Sequence, residues 1–196
     1  MPSTVESGAL PCLPALHRLG DLADARPCVV IDTREQTPLP IRRLPSIRAG
    51  LLTGDYSVAG LECHFTVERK TIPDLVGCCA ASNRERFEHE LHRLRGFRFR
   101  RLLIVGTRAD IEAGDYRSAI TPAAVLGTLA AFEVRYDCPV VFEPTPEAAA
   151  RRVECWAWYA AREHVRNANG LLRGTLSTGG MGGLKAGACR RPAPAG

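Results

Sequence analysis

The sequence lacks any apolar run long enough to cross a membrane, and its first residues do not form a signal peptide. It also lacks any C-x-x-C pair, although it has eight cysteines, several of them inside apolar stretches. This spacing argues against a zinc site or a disulfide framework and favours free thiols in a reducing compartment. We therefore expect a soluble intracellular protein, in the cytoplasm, nucleoid or nucleus, with no membrane partner.

Length and charge limit the domain organisation and the partners. A chain of 196 residues is long enough for one domain with a proper core and flanking tails. We predict a flexible leader at 1–26, a folded domain at 27–170 and a disordered Gly-, Pro- and Arg-containing tail at 171–196. The net charge of +5 allows a polyanionic partner without requiring one.

Alternation of side chains predicts a β-strand over residues 63–70. Mostly apolar residues point to one face of this strand, while Glu68 and Lys70 point together to the other. The preceding segment pairs with it as a hairpin if Leu61-Glu62 forms a two-residue loop, which places Asp55 opposite Glu68. Two carboxylates and one lysine then share a single patch.

This patch has two interpretations. Adjacent carboxylates repel unless one takes up a proton or a cation lies between them, and Mg²⁺ binds through one or two carboxylates with water and phosphate. A neighbouring lysine can orient water and stabilise charge on a phosphate. The alternative is an ordinary surface pair of Glu68 and Lys70 with a turn residue at Asp55.

A second acidic segment follows a strand at 28–31, which delivers Asp32 at its end. Asp32 and Arg34 point to one side of the extended chain, whereas the direction of Glu35 is open. A self-contained ion pair, Asp32–Arg34 or Arg34–Glu35, is the structural alternative to a functional role.

Helix signals alternate with apolar strands in the rest of the chain. Thr71 can cap a helix that contains Pro73 and Asp74, which gives Asp74 a purely structural role. An amphipathic, arginine-rich helix follows, with Ser82 or Asn83 as its cap. Strands at 102–106 and 139–142 and helices at 121–134 and 146–168 complete an α/β sandwich.

Three motifs occur together in one order: Asp32-Thr33-Arg34-Glu35, Gly54-Asp55-Tyr56 and Glu68-Arg69-Lys70-Thr71-Ile72-Pro73-Asp74. They resemble the nuclease domain of the XPF-type structure-specific endonucleases, marked by E-R-K-x-x-x-D after G-D-Y, within the PD-(D/E)xK superfamily. The resemblance implies a restriction-endonuclease-like three-layer sandwich, with a central mixed β-sheet flanked by helices. It also implies a metal-dependent DNA endonuclease acting on forked, flapped or other branched DNA in repair or recombination.

The resemblance assigns the site residues. It implies that Asp55 and Glu68 bind Mg²⁺ or Mn²⁺, with the Arg69 carbonyl as a further ligand, and that Lys70 positions or activates water. The supporting and phosphate-contacting residues it implies are Asp32, Glu35 and Asp74 for support, and Arg34, Arg69 and Arg84 for phosphate, with Arg86 the alternative to Arg84.

Two other functions stay open. One is a restriction-type or junction-resolving nuclease of the same superfamily, and the other is a non-cleaving DNA-binding partner subunit. The resemblance also implies a homodimer or a partner subunit bound through the C-terminal helices. An exposed Trp158 would suit that contact, while Trp156 is expected to face the core.

Overall fold

The computed structural model describes the backbone of residues 26–177 and the side chains of residues 26–80 and 83–170. The strands within it are β1 Val29–Asp32, β2 Ser46–Ala49, β3 Tyr56–Val58, β4 Phe65–Thr71, β5 Phe99–Val105 and β6 Val140–Glu143. The helices are α1 Ile72–Cys79, α2 Ala81–Leu94, α3 Arg108–Ala113, α4 Pro122–Tyr136 and α5 Pro146–Ser177. Residues 26–162 belong to one compact unit, and the residues from Glu163 onward form a second unit whose described part is the end of α5.

The strands form one mixed sheet in the order β2-β1-β3-β4-β5-β6. Strand β3 runs antiparallel to both β1 and β4, whereas the pairs β1–β2, β4–β5 and β5–β6 are parallel. Helix α5 packs on one face through a cluster that includes Val153 and Trp158, and α1 to α4 supply the cluster on the other face. The predicted α/β fold, a mixed sheet flanked by helices, is confirmed.

The predicted register of the hairpin is confirmed, whereas the predicted two-residue loop is wrong. Tyr56 pairs with Val67, as the sequence predicts. The connection, however, covers residues 59–64 instead of two residues, because Leu61 turns inward and accepts hydrogen bonds from the N–H groups of His64 and Phe65. Residue Cys63 therefore lies exposed in the loop and not on the strand.

The second face of β4 is also buried, which the alternation alone did not indicate. Thr66 and Glu68 lie on the face opposite Phe65 and Val67, yet all four are buried. Strand β4 is central in the sheet, so helices cover both of its faces. The Glu68 face therefore lies under protein and not at an open surface.

The predicted cap at Thr71 is confirmed, and threonines also precede helices α4 and α5 as caps. Thr71, Thr121 and Thr145 each accept a hydrogen bond from the N–H three residues later. Helix α2 instead begins at Ala81, after an N-cap Ala80 that has no capping side chain. Two elements were not predicted, namely the exposed edge strand β2 and helix α3.

Trp158, whose exposure would have suited a subunit contact, is buried. It is 1% exposed and lies in the core with Ala150, Val153 and Ala157, which precede it on the same inward face of α5. Trp156 is partly buried and packs against Phe99, 5.6 Å between ring centroids. The side chain predicted to mark a subunit contact is thus a core residue.

The predicted leader at 1–26 lies outside the described residues except for Arg26. The predicted disordered tail at 171–196 begins too early, because α5 continues to Ser177, and the rest of that segment also lies outside the described residues. None of the helices in residues 26–177 is long and apolar enough to span a membrane.

Candidate active site

Most of the predicted site residues meet at one cavity of about 460 Å³ at the end of β4, where the chain passes into α1. Asp32 and Glu68 are buried side chains that contact its lining residues. Arg84 is not among the lining residues. The predicted residues that line the cavity are Arg34, Glu35, Asp55, Arg69, Lys70 and Asp74.

Asp55 lies directly before β3, at the point where β3 stops pairing with β4. Its N–H donates to the carbonyl of Val67 at 2.9 Å, and its Oδ2 accepts from the N–H of Arg69 at 2.7 Å. The carboxylate therefore takes the place of a strand partner for β4. Gly54 makes this approach possible, because it has φ +83° and a Cβ there would lie 2.1 Å from Oγ1 of Thr66.

Glu68 and Lys70 share the face of β4 that α2 covers. The Lys70 ammonium donates to Oε1 of Glu68. It also lies 3.7 Å from Oε2 of Glu90 and 5.1 Å from the ring centroid of Phe87, both on α2. Lys70 is therefore held between two carboxylates and over an aromatic ring.

Burial disfavours the charged forms of both Asp55 and Glu68. Burial, with a smaller contribution from the charge of Asp55, raises the pKa of Glu68 to about 7. Burial also raises the pKa of Asp55, although the Arg69 N–H and the Lys70 charge oppose it. A cation placed between these carboxylates would relieve both effects, which is the electrostatic condition for a metal site.

Lys70 remains a strong cation in this surrounding. Burial lowers its pKa, but the Glu68 charge and hydrogen bond, followed by the Glu90 charge, outweigh burial and raise the pKa above its ordinary value. The group is therefore a positive charge and a hydrogen-bond donor in this surrounding.

Asp32 forms the ion pair that the sequence left open. Its carboxylate accepts from Nε of Arg34 at 2.6 Å and from the N–H of Leu51 at 2.6 Å. Burial raises the pKa of Asp32, but these hydrogen bonds and the Arg34 charge outweigh it and leave the pKa below its ordinary value. Arg34 is 69% exposed and also donates to the Leu51 carbonyl, so it presents a charge at the mouth of the cavity.

Glu35 pairs with Arg69 and not with Arg34. Arg69 donates to Glu35 through Nε at 3.0 Å and Nη2 at 2.9 Å, and the N–H of Thr37 also donates to this carboxylate. The side chain of Arg69 is only 12% exposed. This bidentate pair joins the segment after β1 to the end of β4.

Asp74 has the structural role that the sequence offered as one alternative. Its Oδ2 accepts from the Thr71 hydroxyl at 2.7 Å, and its N–H donates back to the same hydroxyl at 3.3 Å. The side chain is exposed at the amino end of α1 and lines the cavity.

Arg86, and not Arg84, reaches the cavity. Arg84 pairs with Glu88 at 2.9 Å and lies 5.6 Å from the ring centroid of Phe132, so its side chain is held against α4. Arg86 is exposed and lines the cavity. Positions two residues apart lie about 200° apart around a helix, which is why both cannot serve the same surface.

The carboxylates of Asp55 and Glu68 are the candidate ligands for a metal ion. In the described part of the chain, no group of three or more His, Cys, Asp or Glu side chains is arranged to hold a metal. Asp55 and Glu68 supply two carboxylates, which suits Mg²⁺ because this ion commonly takes one or two carboxylates and completes its shell with water and phosphate. The residues thus fit a hard divalent ion that is partly coordinated by substrate.

Glu90 was not predicted as part of the site. It lies four residues after Arg86, on the same side of the arginine-rich helix. An i, i+4 count around the apolar stripe indicates that this side borders the sheet, and only the packing of α2 on β4 brings Glu90 to Lys70.

Comparison with known proteins places this geometry in a family. Residues 31–154 match the ERCC4 domain. XPF from Aeropyrum pernix has a similar structure, with a TM-score of 0.57 and 21% identity over 80% of this chain and 76% of that chain. XPF from the same organism in complex with DNA gives 0.55 and 22% identity over 70% of this chain and 66% of that chain. No curated protein matches. Because the ERCC4 match covers well over half of the sequence and contains every acidic residue of the cavity, the chain belongs to the ERCC4 family, the XPF-type nuclease domain.

Proposed function

We propose that the protein is a Mg²⁺- or Mn²⁺-dependent DNA endonuclease that hydrolyses phosphodiester bonds in forked, flapped or otherwise branched DNA. The observation that carries this proposal is that Asp55 and Lys70 line one cavity and that Lys70 donates a hydrogen bond to the buried carboxylate of Glu68. Membership of the ERCC4 family supports it, since the family typically comprises structure-specific DNA endonucleases that use a divalent metal.

Asp55 and Glu68 would hold the metal ion, with the main-chain carbonyl of Arg69 as a further oxygen ligand. A divalent ion there would supply an acidified water molecule and neutralise charge on the scissile phosphate. The raised pKa of both carboxylates favours this, because ion binding replaces an unfavourable pair of buried negative charges.

Lys70 contributes as a cation with a fixed position. Held by Glu68 and Glu90, it donates hydrogen bonds towards the attacking water or the phosphate oxygens that gain charge in the transition state. Its raised pKa favours this role of a charged hydrogen-bond donor over that of a general base near neutral pH.

Phosphate contacts fall to the exposed arginines at the cavity. Arg34 and Arg86 are exposed and can approach the DNA backbone, and a planar guanidinium suits bidentate phosphate binding. Arg34 keeps its ion pair with Asp32, but its side chain is 69% exposed. Arg69 is occupied by Glu35, so we assign it to positioning of the strand end and not to the substrate. Asp32 has the same positioning role towards Arg34, and Asp74 supports the start of α1.

DNA is the proposed partner for two reasons. The chain carries a net charge of +5, and a protein of similar fold, XPF from Aeropyrum pernix, has been solved in complex with DNA. A second copy of the chain or a partner subunit bound through the C-terminal helices is also part of the proposal. On α5, Tyr159 is the large exposed side chain available for that contact.

The test uses the purified full chain with labelled forked, flapped, nicked and linear duplexes in Mg²⁺, Mn²⁺ or EDTA. We expect metal-dependent cleavage of a branched substrate, and a loss of roughly 10²-fold or more in rate for D55A and E68A. The control E62A changes an exposed loop residue and should cleave normally. A D55A protein that cuts at the wild-type rate would overturn the assignment.

The other outcomes separate the alternatives. Cleavage of linear duplex at a defined sequence would indicate a restriction-type enzyme, and preference for four-way junctions would indicate a resolvase. Binding of DNA without cleavage in either metal would indicate a non-cleaving subunit. Metal binding is read separately as a rise in the unfolding temperature of the wild type that D55A and E68A lack.

A further inference from the structure

Leu52 is an apolar, solvent-exposed side chain that directly follows Leu51, whose carbonyl binds Arg34 of the candidate site. It is 87% exposed in the connection between β2 and β3, where the chain turns towards Asp55. A single exposed leucine is common on protein surfaces and carries no meaning alone. The main-chain contacts on both sides of Leu52 distinguish it from such residues.

The main chain is fixed on both sides of Leu52. Before it, the N–H of Leu51 donates to Oδ2 of Asp32 at 2.6 Å, and the side chain of Leu51 is buried. After it, the carbonyl of Thr53 accepts from the Thr66 hydroxyl at 3.0 Å, and Gly54 is packed against the same threonine. The exposed side chain is therefore held on a short, rigid support.

This support also holds the phosphate-contacting arginine. The carbonyl of Leu51 accepts from Nη2 of Arg34 at 2.9 Å, and Arg34 lines the cavity with Asp55 and Lys70. The charges of Asp55 and Glu68 act on the Arg34 guanidinium. Leu52 is thus the residue next to the carbonyl that anchors Arg34, and Arg34 lines the cavity where, under the proposed function, a DNA backbone would pass.

We propose that Leu52 is a wedge that packs against the last base pair at the branch point of a forked or flapped DNA, while Arg34 holds the adjacent phosphate. The inference rests on the proposed function and adds the residue that would recognise the branch. Apolar side chains on rigid supports part base steps in DNA-binding proteins, and a branch point offers an exposed base face at less cost than an intact duplex. A base pair that ends a stack would cover the apolar surface of Leu52 that water otherwise contacts.

The test places 2-aminopurine either at the branch base pair or in the interior of the duplex arm of a flap substrate, with EDTA present so that no strand is cut. On saturation with the full-length wild type, we expect about a twofold or greater rise in fluorescence at the branch and little change in the interior. L52A should lose the rise, and L52M should retain it. V134A is the matched control, because Val134 on α4 is also 87% exposed and lies outside the cavity lining.

Cleavage gives the second readout. With Mg²⁺ or Mn²⁺, L52A should cut the flap about tenfold more slowly than wild type, while its unfolding temperature and its metal-induced rise in that temperature stay unchanged. Equal branch fluorescence and equal flap cleavage for L52A and wild type would overturn the wedge and leave the endonuclease proposal intact. A D55A protein as active as wild type would instead overturn the endonuclease proposal, whatever the fluorescence at the branch.

Discussion

The ammonium of Lys70 lies 3.7 Å from the carboxylate of Glu90. Carboxylates from a strand and from a helix therefore hold the same positive charge. Glu68 contacts Lys70 along β4, whereas Glu90 reaches it from α2. Glu90 lies outside the E-R-K-x-x-x-D signature, and its contribution depends on how α2 packs on the sheet.

We expect E90Q to loosen Lys70 without removing it. The single-turnover cleavage rate should fall about three- to tenfold with little change in DNA affinity, because one of two carboxylates that orient the ammonium is lost. E85Q is the control, since Glu85 lies on the same helix and is exposed. An E90Q protein with wild-type kinetics would exclude this positioning role.

The pKa of Lys70 can also be measured directly. The sequence has only two lysines, Lys70 and Lys185, so K185R leaves one lysine for ¹³C-methylation and NMR titration. We expect a pKa above the ordinary lysine value, lowered by E68Q and to a smaller extent by E90Q, because burial is then less opposed by negative charge. A Lys70 pKa that E68Q leaves unchanged would contradict the ion-pair geometry.

Arg84 and Arg86 form a natural pair of test and control. We expect R86A to weaken binding of a flap substrate about tenfold and to reduce the salt dependence of binding, because it removes a phosphate contact. R84A should leave binding nearly unchanged and lower stability instead, because it removes the Glu88 ion pair and the contact with Phe132. Fluorescence anisotropy at several salt concentrations and urea unfolding separate the two; the reverse result would place Arg84 on the DNA.

The candidate site shows which contacts the sequence alone could predict and which it could not. The register of Tyr56 with Val67, which brings Asp55 to Glu68, follows from side-chain alternation and is confirmed. The partner of Arg69 could not be predicted, because Glu35 lies 34 positions away and meets it only across the sheet. Motif spacing thus indicated which residues would lie together at the cavity, while the pairing of each charge required the fold.

Other misses have local causes. The hairpin loop was too short because Leu61 was treated as a turn residue, although it is buried and closes the loop from inside. Strand β2 was missed because three of its four residues are exposed and it carries Arg48, which is typical of an edge strand. The sequence did contain an indication of helix α3, namely the capping box of Thr107 and Asp110.

Glu68 should make the metal-free protein less stable as the pH rises. Its folded pKa of about 7 lies above its ordinary value of 4.5, so its contribution to folding is full below that value and is lost as the pH rises through 7. Asp55 acts in the same direction. Asp32 acts oppositely, but only below its ordinary value of 3.8.

Urea unfolding in EDTA at pH 5 and pH 8 measures this effect. Between these values, the free energy of unfolding of the wild type should fall by on the order of 1–3 kcal/mol more than that of E68Q, which has no proton to lose at this position. E62Q, on the exposed loop, should follow the wild type. Parallel pH dependences of wild type and E68Q would mean that Glu68 titrates normally.

The buried carboxylate of Glu154 on α5 holds the segment at 42–44, which lies between β1 and β2. Oε1 of Glu154 accepts hydrogen bonds from three consecutive main-chain N–H groups, those of Arg42, Arg43 and Leu44. E154A would leave these donors unpaired inside the protein, so we expect a loss of about 3 kcal/mol or more in the free energy of unfolding, and an intermediate loss for E154Q. E147A, in the exposed first turn of the same helix, should cost little. Urea unfolding midpoints compare the three variants, and equal midpoints for E154A and E147A would mean that water satisfies the three donors as well as the carboxylate does.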